Sequence, residues 1–328
     1  MSGGRMRRRD FLAGFAGTVT WTQVAQAQRR LPTIGFLAEG SPVALQISEF
    51  RQGLADMGYV EGRNVAIEFR AARNDLTRLR ELARDLVRLK VDVIVAPGSG
   101  AAARAARAAT DTIPIVFSDS GDPVTSGLIA SLSHPGGNIT GFVVWDLSIG
   151  GKWMQLLQEI APDLQRVGIM YNPDTAPYAP PLIAAARATA ARGVAVIECH
   201  TRNDGEIEAA ASSLGGQPDS GLLVIPEPFT NANRDKIIAQ SDRFRLPTLN
   251  PVFGAANRGV LISYTYAFDV MMRQPASYID RILRGESPRN LPVQAPTKYL
   301  LSINLKVAKT LGLSVPASLL ALADEVIE

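Results

Sequence analysis

A glycine-rich run between a predicted strand and a predicted helix offers the most recognisable chemistry in this chain. Gly98-Ser99-Gly100-Ala101-Ala102-Ala103 has the spacing G-x-G-x-x-A, and with Asp119 about twenty residues further on it matches a dinucleotide-binding fingerprint in form. Its glycines would let a pyrophosphate approach the amides at the helix N-terminus. Two other interpretations stay open, because the same amides and the Ser99 hydroxyl could receive a ligand carboxylate, or the run could be a tight turn alone.

Further polar and aromatic residues come directly after predicted strands. They are Ser41, Ser118, Asp119, Asp122, Trp145, Asp146, Glu227, Phe229, Tyr264 and Tyr266. Because the carboxyl ends of parallel strands share one edge of a sheet, ligands of open α/β sheets bind at that edge. We therefore predict a ligand-binding site built from Ser41, Gly98, Ser99, Gly100, Ala101, Asp122, Trp145, Asp146, Glu227, Phe229 and Tyr264.

Neither nucleophilic catalysis nor metal binding has a matching pattern. The sequence contains no G-x-S-x-G elbow, the strained turn that presents a catalytic serine. The single cysteine, Cys199, is adjacent to His200 on a predicted strand, so the two side chains point to opposite faces. One cysteine and two histidines, His134 and His200, also leave few ligands for zinc. We predict no catalytic residue, no metal site and no cofactor.

The first 27 residues have the three parts of an export signal. Arg5 and the run Arg7-Arg8-Arg9 precede a charge-free apolar stretch at residues 11–25, and Ala25-Gln26-Ala27 follows as a cleavage signature. The run Arg8-Arg9-Asp10-Phe11-Leu12 further resembles a twin-arginine signal. We predict cleavage near Ala27 and a periplasmic mature protein.

Removal of the signal changes the charge balance of the chain. The full sequence has 34 basic and 31 acidic side chains, and removing four and one of them leaves 30 of each. A balanced mature chain gives no electrostatic support to nucleic-acid binding. The mature sequence also has no charge-free apolar stretch of about 18 residues, so we expect no stable membrane insertion.

Short β-rich runs alternate with amphipathic helical patterns along the mature chain. Residues 91–96 are a predicted strand whose run Val93-Ile94-Val95-Ala96 is wholly apolar, as is typical of a parallel strand covered on both sides. Residues 149–160 and 182–191 are predicted helices. Strands separated by helices imply right-handed βαβ crossovers and a doubly wound parallel sheet. The 328 residues suffice for two such units at roughly 150 residues each.

We therefore predict an α/β protein with two doubly wound parallel-sheet lobes and a hinged cleft between them. Lobe 1 comprises residues 28–143 plus about 264–288, and lobe 2 comprises residues 144–263 plus about 289–328.

Several short motifs stand in a distinctive order and spacing. They are Phe50-Arg51-Gln52-Gly53-Leu54, Gly58-Tyr59-Val60-Glu61-Gly62-Arg63-Asn64, Ile113-Pro114-Ile115-Val116-Phe117, Asp122-Pro123-Val124, Pro135-Gly136-Gly137-Asn138-Ile139-Thr140-Gly141, Gly151-Lys152-Trp153, Asn172-Pro173-Asp174-Thr175-Ala176-Pro177, Ala276-Ser277-Tyr278-Ile279-Asp280-Arg281-Ile282-Leu283 and Asn304-Leu305-Lys306. Together they resemble the tryptophan/tyrosine-type substrate-binding proteins of ABC importers.

This resemblance implies a type 1 periplasmic binding protein fold, in which three crossing segments join two lobes that close over a small ligand. By position, it implies that residues 98–101 receive a carboxylate and that Asp122 and Asp146 lie at the cleft. It also implies that Glu227 stands where relatives usually have Asp. After Ser263-Tyr264 the sequence departs, because relatives commonly continue with Gly, Pro and Asp where Thr265-Tyr266-Ala267 stands here. An Asp could hold the ammonium group of a ligand, which Ala267 cannot.

We predict the substrate-binding component of an ABC import system, non-enzymatic and exported, which delivers a small solute to the permease subunits of the ABC transporter. The expected ligand carries a carboxylate and is partly apolar, with an amino acid favoured over an aromatic acid that lacks the amine. Trp145, Phe229, Tyr264 and Tyr266 would supply apolar walls, and Ser99 would hold the acidic group. The alternative is a secreted α/β enzyme, an oxidoreductase that uses the G-x-G-x-x-A run.

Overall fold

The computed structural model describes residues 30–328, apart from Val43, Ser99, Ser120 and the side chain of Asp119. The predicted export signal, residues 1–27, lies outside the described residues. Within the described part of the chain, no helix is both long and apolar enough to cross a membrane.

The first part of the chain alternates strands and helices. In chain order these elements are β1 (Thr33–Ala38), α1 (Ala44–Asp56), β2 (Ala66–Ala71), α2 (Leu76–Arg88), β3 (Val93–Gly98), α3 (Ala101–Ala109), β4 (Ile115–Asp119) and β5 (Ile139–Val143). The strands form the first sheet, with order β2-β1-β3-β4-β5 and every pair parallel. Helix α2 shows how the sequence fixes an element, because the Asp75 carboxylate caps its N-terminus and Leu79 and Leu86 bury one face.

The second part of the chain builds a larger sheet and the helices around it. Its elements are α4 (Ile149–Ile160), β6 (Arg166–Tyr171), α5 (Ala179–Thr189), β7 (Ala195–His200), α6 (Asp204–Gly215), β8 (Ser220–Val224), α7 (Pro228–Ala232), α8 (Arg234–Arg243), β9 (Thr248–Leu249), β10 (Ile262–Tyr266), α9 (Phe268–Arg273), α10 (Pro275–Leu283), β11 (Tyr299–Asn304), α11 (Leu305–Leu311), α12 (Ala317–Leu322) and β12 (Glu325–Ile327). The strands form the second sheet, with order β12-β11-β10-β9-β8-β6-β7.

The chain passes between the two sheets three times. It leaves the first sheet after β5, returns after β10 so that α9 and α10 pack against α1, and goes back to the second sheet at β11. Before this last crossing, the Val143 amide donates to the carbonyl of Gln294 at 2.9 Å, which ties the returning segment to β5. The crossings place the carboxyl ends of the parallel strands of both sheets on either side of one cleft.

The second sheet differs from a purely parallel sheet at β11. This strand runs antiparallel to β10, with Tyr266 opposite Tyr299. The reason is geometric: β10 ends at the cleft, and the chain re-enters the second sheet at that same end, so β11 must run away from it. All the other paired strands of this sheet are parallel. The predicted α/β fold with two parallel-sheet lobes is confirmed, with this one reversal.

A continuous apolar cluster joins the two sheets beneath the crossing segments. Trp153 of α4 is completely buried in it, and its indole Nε1 donates to the Tyr264 carbonyl at 2.9 Å. On the other side, the Tyr278 ring of α10 packs 4.7 Å from that of Phe142. These contacts fix the crossings relative to the strand ends that line the cleft.

Candidate ligand-binding cleft

A cavity of about 410 Å³ lies between the two sheets, within the size range of small-molecule sites. Gly98 at the end of β3 and Ser118 near the end of β4 contribute one wall. The opposite wall comes from residues that follow β8 and β9 and from the last residues of β10. The cavity is therefore bounded by strand ends from both sheets.

Aromatic side chains supply much of the apolar lining. Trp145, in the crossing after β5, is 6% exposed, and its ring lies 5.9 Å from Trp153 and 6.2 Å from Tyr266. Phe253, which follows β9, stacks on Phe268 of α9 at a centroid distance of 5.4 Å. Since α9 packs beside the first sheet, this stack spans the cleft from one side to the other.

Glu227 is buried in the cleft wall, but its carboxylate is already fully engaged. One oxygen accepts the amides of Thr230 at 2.8 Å and Asn172 at 3.4 Å. The other accepts the Phe229 amide and the Thr175 hydroxyl, both at 2.6 Å. The carboxylate caps α7 and ties the loop after β6 to the loop after β8, which is a structural role.

Arg234, the first residue of α8, lines the same cavity and is half-buried. Among the described residues, its guanidinium has no ion pair and no hydrogen bond. By contrast, Arg243 at the end of the same helix pairs with Glu208 at 2.7 Å. Arg234 therefore presents a positive charge to the cleft without a partner in the described part of the chain.

The neutral polar groups of the lining include one donor without an acceptor. The indole Nε1 of Trp145 is buried and makes no hydrogen bond. The hydroxyls of Ser118 and Thr265 also line the cavity. Burial raises the pKa of Tyr266 to about 12, and its phenol, which is protonated at neutral pH in any case, can donate a hydrogen bond.

Of the residues predicted from the sequence, Gly98, Trp145 and Glu227 line the cavity. Gly98 ends β3 with φ +116°, and Gly100 precedes α3 with φ +78°, so the loop needs glycine at both positions. Gly100 and Ala101 are not among the lining residues. Ser99, predicted to hold a carboxylate, lies outside the described residues.

The remaining predicted residues lie outside the lining. Asp122 accepts the amides of Val124 and Thr125 at 2.9 and 3.1 Å and the Thr125 hydroxyl. Partial burial alone would raise the pKa of Asp122, but these hydrogen bonds lower it below its ordinary value. Asp146 accepts the amide of Ser148 at 2.8 Å and is exposed. Both carboxylates thus stabilise their own loops.

Phe229, Tyr264 and Ser41 also lie away from the cavity. Phe229 packs against the apolar cluster between β8 and α6, and Tyr264 stacks on Tyr299 of the neighbouring strand at 5.4 Å. Ser41 is exposed in the loop before α1.

Several lining residues were missed by the sequence reasoning. They are Gln46, Asn231, Arg234, Phe253 and Phe268. Each lies on a helix or loop that continues beyond a strand end, further along the chain than the residues examined. Asn231 lies in α7 and Arg234 begins α8, so no spacing within a single helix signalled that both residues line the cavity.

Two other features could have suggested a different site. A cavity of about 570 Å³ lies against the outer side of α1, but its charged residues, Arg51 and Glu61, pair with each other at 2.7 Å. Cys199 is buried, and burial raises the pKa of its thiol to about 11, whereas the His200 ring contacts Tyr171 on the opposite face of β7. Within the described residues, no group of three or more His, Cys, Asp or Glu side chains could hold a metal ion.

A cleft between facing strand ends, with crossing segments behind it, is the arrangement of binding proteins that close on a small solute. Residues 34–327 match the family described as ABC transporter substrate binding protein. The chain therefore belongs to the ABC transporter substrate-binding protein family. The match gives no support to the oxidoreductase interpretation of the G-x-G-x-x-A run.

Individual relatives agree with this family. A protein named tyrosine-binding protein, from Clostridioides difficile, is 28% identical over 265 residues, which are 80% of this chain and 75% of that protein. A ligand-free, open substrate-binding protein with adhesive properties, from Clostridium difficile, has a TM-score of 0.73 and 25% identity, covering 90% of this chain and 99% of that one. A Streptococcus pneumonia ABC domain in complex with L-Trp shares the fold, with a TM-score of 0.80 and 22% identity, covering 91% of this chain and 100% of that one.

Proposed function

We propose that this substrate-binding protein captures a small carboxylate-bearing solute with an aromatic or otherwise apolar body. An aromatic amino acid and its deaminated acid are the two forms of such a ligand. Two lobes, built on the first and second sheets, close over the solute and present it to the permease subunits of an ABC importer. The protein acts by binding and not by catalysis.

The observation that carries this proposal is the aromatic lining between the two sheets. Trp145 contacts Tyr266 at the back of the cavity, and Phe253 and Phe268 stack across it. A planar apolar ligand body would pack against these faces, because aromatic rings prefer offset or edge-to-face contacts with one another. The names of two relatives, which refer to tyrosine and L-Trp, support the same ligand class.

A thermal-shift panel tests the proposal. Purified mature protein is heated with each amino acid, its deaminated acid and its decarboxylated amine, and with sugars and metal ions as a separate group. A tight ligand raises the melting temperature by mass action, so we expect stabilisation by aromatic carboxylates. Stabilisation by sugars or metal ions alone would refute the proposal.

Two matched leucine substitutions test the location of the ligand. Phe253→Leu removes an aromatic face from the cavity, and we expect ligand affinity to fall by about two- to tenfold. Phe229→Leu is the control, because Phe229 packs away from the cavity, and its affinity should match the wild type. Equal losses in the two variants would show that the ligand does not sit between the sheets.

We also propose that the chain is exported to the periplasm through the twin-arginine route and cleaved near Ala27. The sequence of residues 1–27 supports this proposal. N-terminal mass determination of the protein from periplasmic extracts should find a chain that begins near Gln28. Replacing Arg8 and Arg9 with lysine should abolish export, whereas unchanged export of this variant would indicate the general secretory route.

A further inference from the structure

The charged side chains of the cleft are few, and their partners can be traced. Of the described residues that line the cavity, only Glu227 and Arg234 are charged. The other polar lining groups are neutral side chains. The interaction of a ligand with these described charged side chains therefore depends on the hydrogen-bonding sites that each of the two still has free.

The Glu227 carboxylate has no free hydrogen-bonding site for a ligand. A carboxylate offers about four lone-pair sites, and four donors from Asn172, Thr175, Phe229 and Thr230 occupy them. A ligand ammonium group could use this carboxylate only by displacing a donor that holds the α7 cap or the loop after β6. Such a displacement would leave a buried donor unpaired, which is unfavourable.

In contrast to the Glu227 carboxylate, the Arg234 guanidinium still has all its hydrogen-bond donors available within the described part of the chain. It has no partner among the described residues, and Arg234 stands at the first position of α8, where the helix dipole disfavours a positive charge. Asn233, the residue before it, provides no side-chain cap. An anion bound here would meet both the guanidinium and the positive end of the helix dipole.

Trp145 adds a second group that lacks an acceptor. Its Nε1 is buried without a hydrogen bond, and the residue is only 6% exposed. Buried donors in native proteins are nearly always paired, so this one points to a partner supplied from the cavity. The Arg234 guanidinium and the Trp145 indole can only donate, so each needs an acceptor.

We infer that Arg234 and the indole of Trp145 receive an acceptor-rich anionic group, and that the ligand carries a net negative charge. The ligand is then an aromatic or related carboxylic acid without an ammonium group, rather than a zwitterionic amino acid. This inference rests on the proposed function and deepens it by naming the charge of the substrate. It reverses the preference for an amino acid that the sequence motifs gave.

The reason is the cost of an unmatched charge in a closed cleft. Closure removes water from the ligand, and a buried charge without a counter-charge is strongly unfavourable. A carboxylate meets Arg234, whereas an ammonium group finds, among the described charged side chains of the lining, a carboxylate whose hydrogen-bonding sites are occupied. Ala267 is buried and apolar, so it supplies no compensating charge.

Isothermal titration calorimetry on the full mature protein tests the inference. The probes are L-tyrosine, para-hydroxyphenylpropionate and tyramine, and the corresponding set of L-tryptophan, indolepropionate and tryptamine. We expect the propionates to bind at least about tenfold more tightly than the amino acids, with no detectable binding of the amines.

Variants assign the effect to the named groups. Arg234→Gln should weaken propionate binding by about 10- to 100-fold, as expected for loss of a hydrogen-bonded charge, and Arg234→Lys should fall between this variant and the wild type. Trp145→Phe should weaken it by about two- to tenfold. Arg243→Gln, on the same helix but outside the cleft, is the matched control and should bind as the wild type does. Arg234→Lys also keeps the test valid if the glutamine variant does not fold.

The outcomes separate the inference from the proposed function. Tighter binding of the amino acids than of the propionates, or unchanged affinity in Arg234→Gln, would overturn the inference and leave the proposed function standing. If no carboxylate of either set binds the wild type, the proposed function is overturned, and the inference falls with it.

Discussion

Replacing Glu227 with glutamine should destabilise the protein strongly, although the residue lines the ligand cavity. The carboxylate is 1% exposed and accepts four hydrogen bonds, two at each oxygen. Glutamine has only one acceptor oxygen, so it can retain one of these pairs. The other oxygen position then carries an amide that faces a backbone donor.

The expected fall in the free energy of unfolding follows from the hydrogen bonds that the Glu227→Gln substitution removes. If the glutamine oxygen keeps the bonds from Thr230 and Asn172, the Phe229 amide loses its acceptor, whereas the Thr175 hydroxyl can rotate and accept instead. Hydrogen bonds to charged groups contribute about 1.5–3 kcal/mol, and a buried unpaired donor costs about 1–3 kcal/mol. Because these two estimates partly describe the same loss, we expect the free energy of unfolding to fall by about 2–4 kcal/mol.

Urea unfolding followed by circular dichroism measures this change, since the midpoint moves while the slope stays constant. Glu206→Gln is the control, because Glu206 accepts the Arg202 amide at 2.6 Å at the solvent-exposed start of α6. Water can replace the lost bond there, so the loss should be below about 1 kcal/mol. Equal losses in the two variants, or none in Glu227→Gln, would refute the structural role of Glu227. A large loss of ligand affinity in folded Glu227→Gln would instead indicate direct ligand contact.

Three further predictions concern the framework of the cleft. A Cβ at Gly53 would lie 2.7 Å from the α9 backbone, so Gly53→Ala should lower the free energy of unfolding by about 1–3 kcal/mol in urea titrations, and an unchanged midpoint would contradict this close approach. Hydrogen bonds from Tyr171 and Arg187 lower the pKa of Glu198 from its ordinary 4.5. The ionised Glu198 carboxylate therefore stabilises the folded state above pH 4.5, and this stabilisation is lost as the pH falls through the folded-state pKa. Glu198→Gln should therefore flatten the acid side of the profile of melting temperature against pH, and an unaltered profile would refute the linkage. Burial raises the pKa of Cys199 to about 11, so its thiol should react slowly with a disulfide reagent at pH 8 and rapidly in urea, whereas fast reaction of the native protein would show that the thiol is accessible.

The fold was largely predictable because its signals are local. Helix α4 has the predicted limits, Ile149–Ile160, since an apolar stripe at helical spacing needs only neighbouring residues to be recognised. Helix α5 begins at Ala179, three residues before the predicted start. Pro180 and Pro181 belong to its first turn, where proline is tolerated because the amides of the first turn have no acceptor within the helix. The reversal of β11 was not predicted, because it depends on where the returning chain re-enters the second sheet.

The site was predictable only in part, because sequence position does not give side-chain orientation. The expectation that ligands bind at the carboxyl ends of parallel strands led to Trp145 and Glu227, which line the cavity. It equally led to Asp122 and Asp146, which bind the amides of their own loops. An aspartate that shapes a turn and one that faces a ligand follow a strand in the same way.

Local sequence patterns are sufficient to establish the alternation of strands and helices and the family motifs, and they predict a balanced charge for the mature chain. Which polar groups of the cleft remain without a partner depends on how distant segments of the chain pack together. The hydrogen-bonding sites of Glu227 are occupied by donors that include Asn172, 55 positions away in the chain, whereas Arg234 is left unpaired among the described residues. Pairing of this kind depends on contacts between distant segments, so local pattern and composition do not contain it.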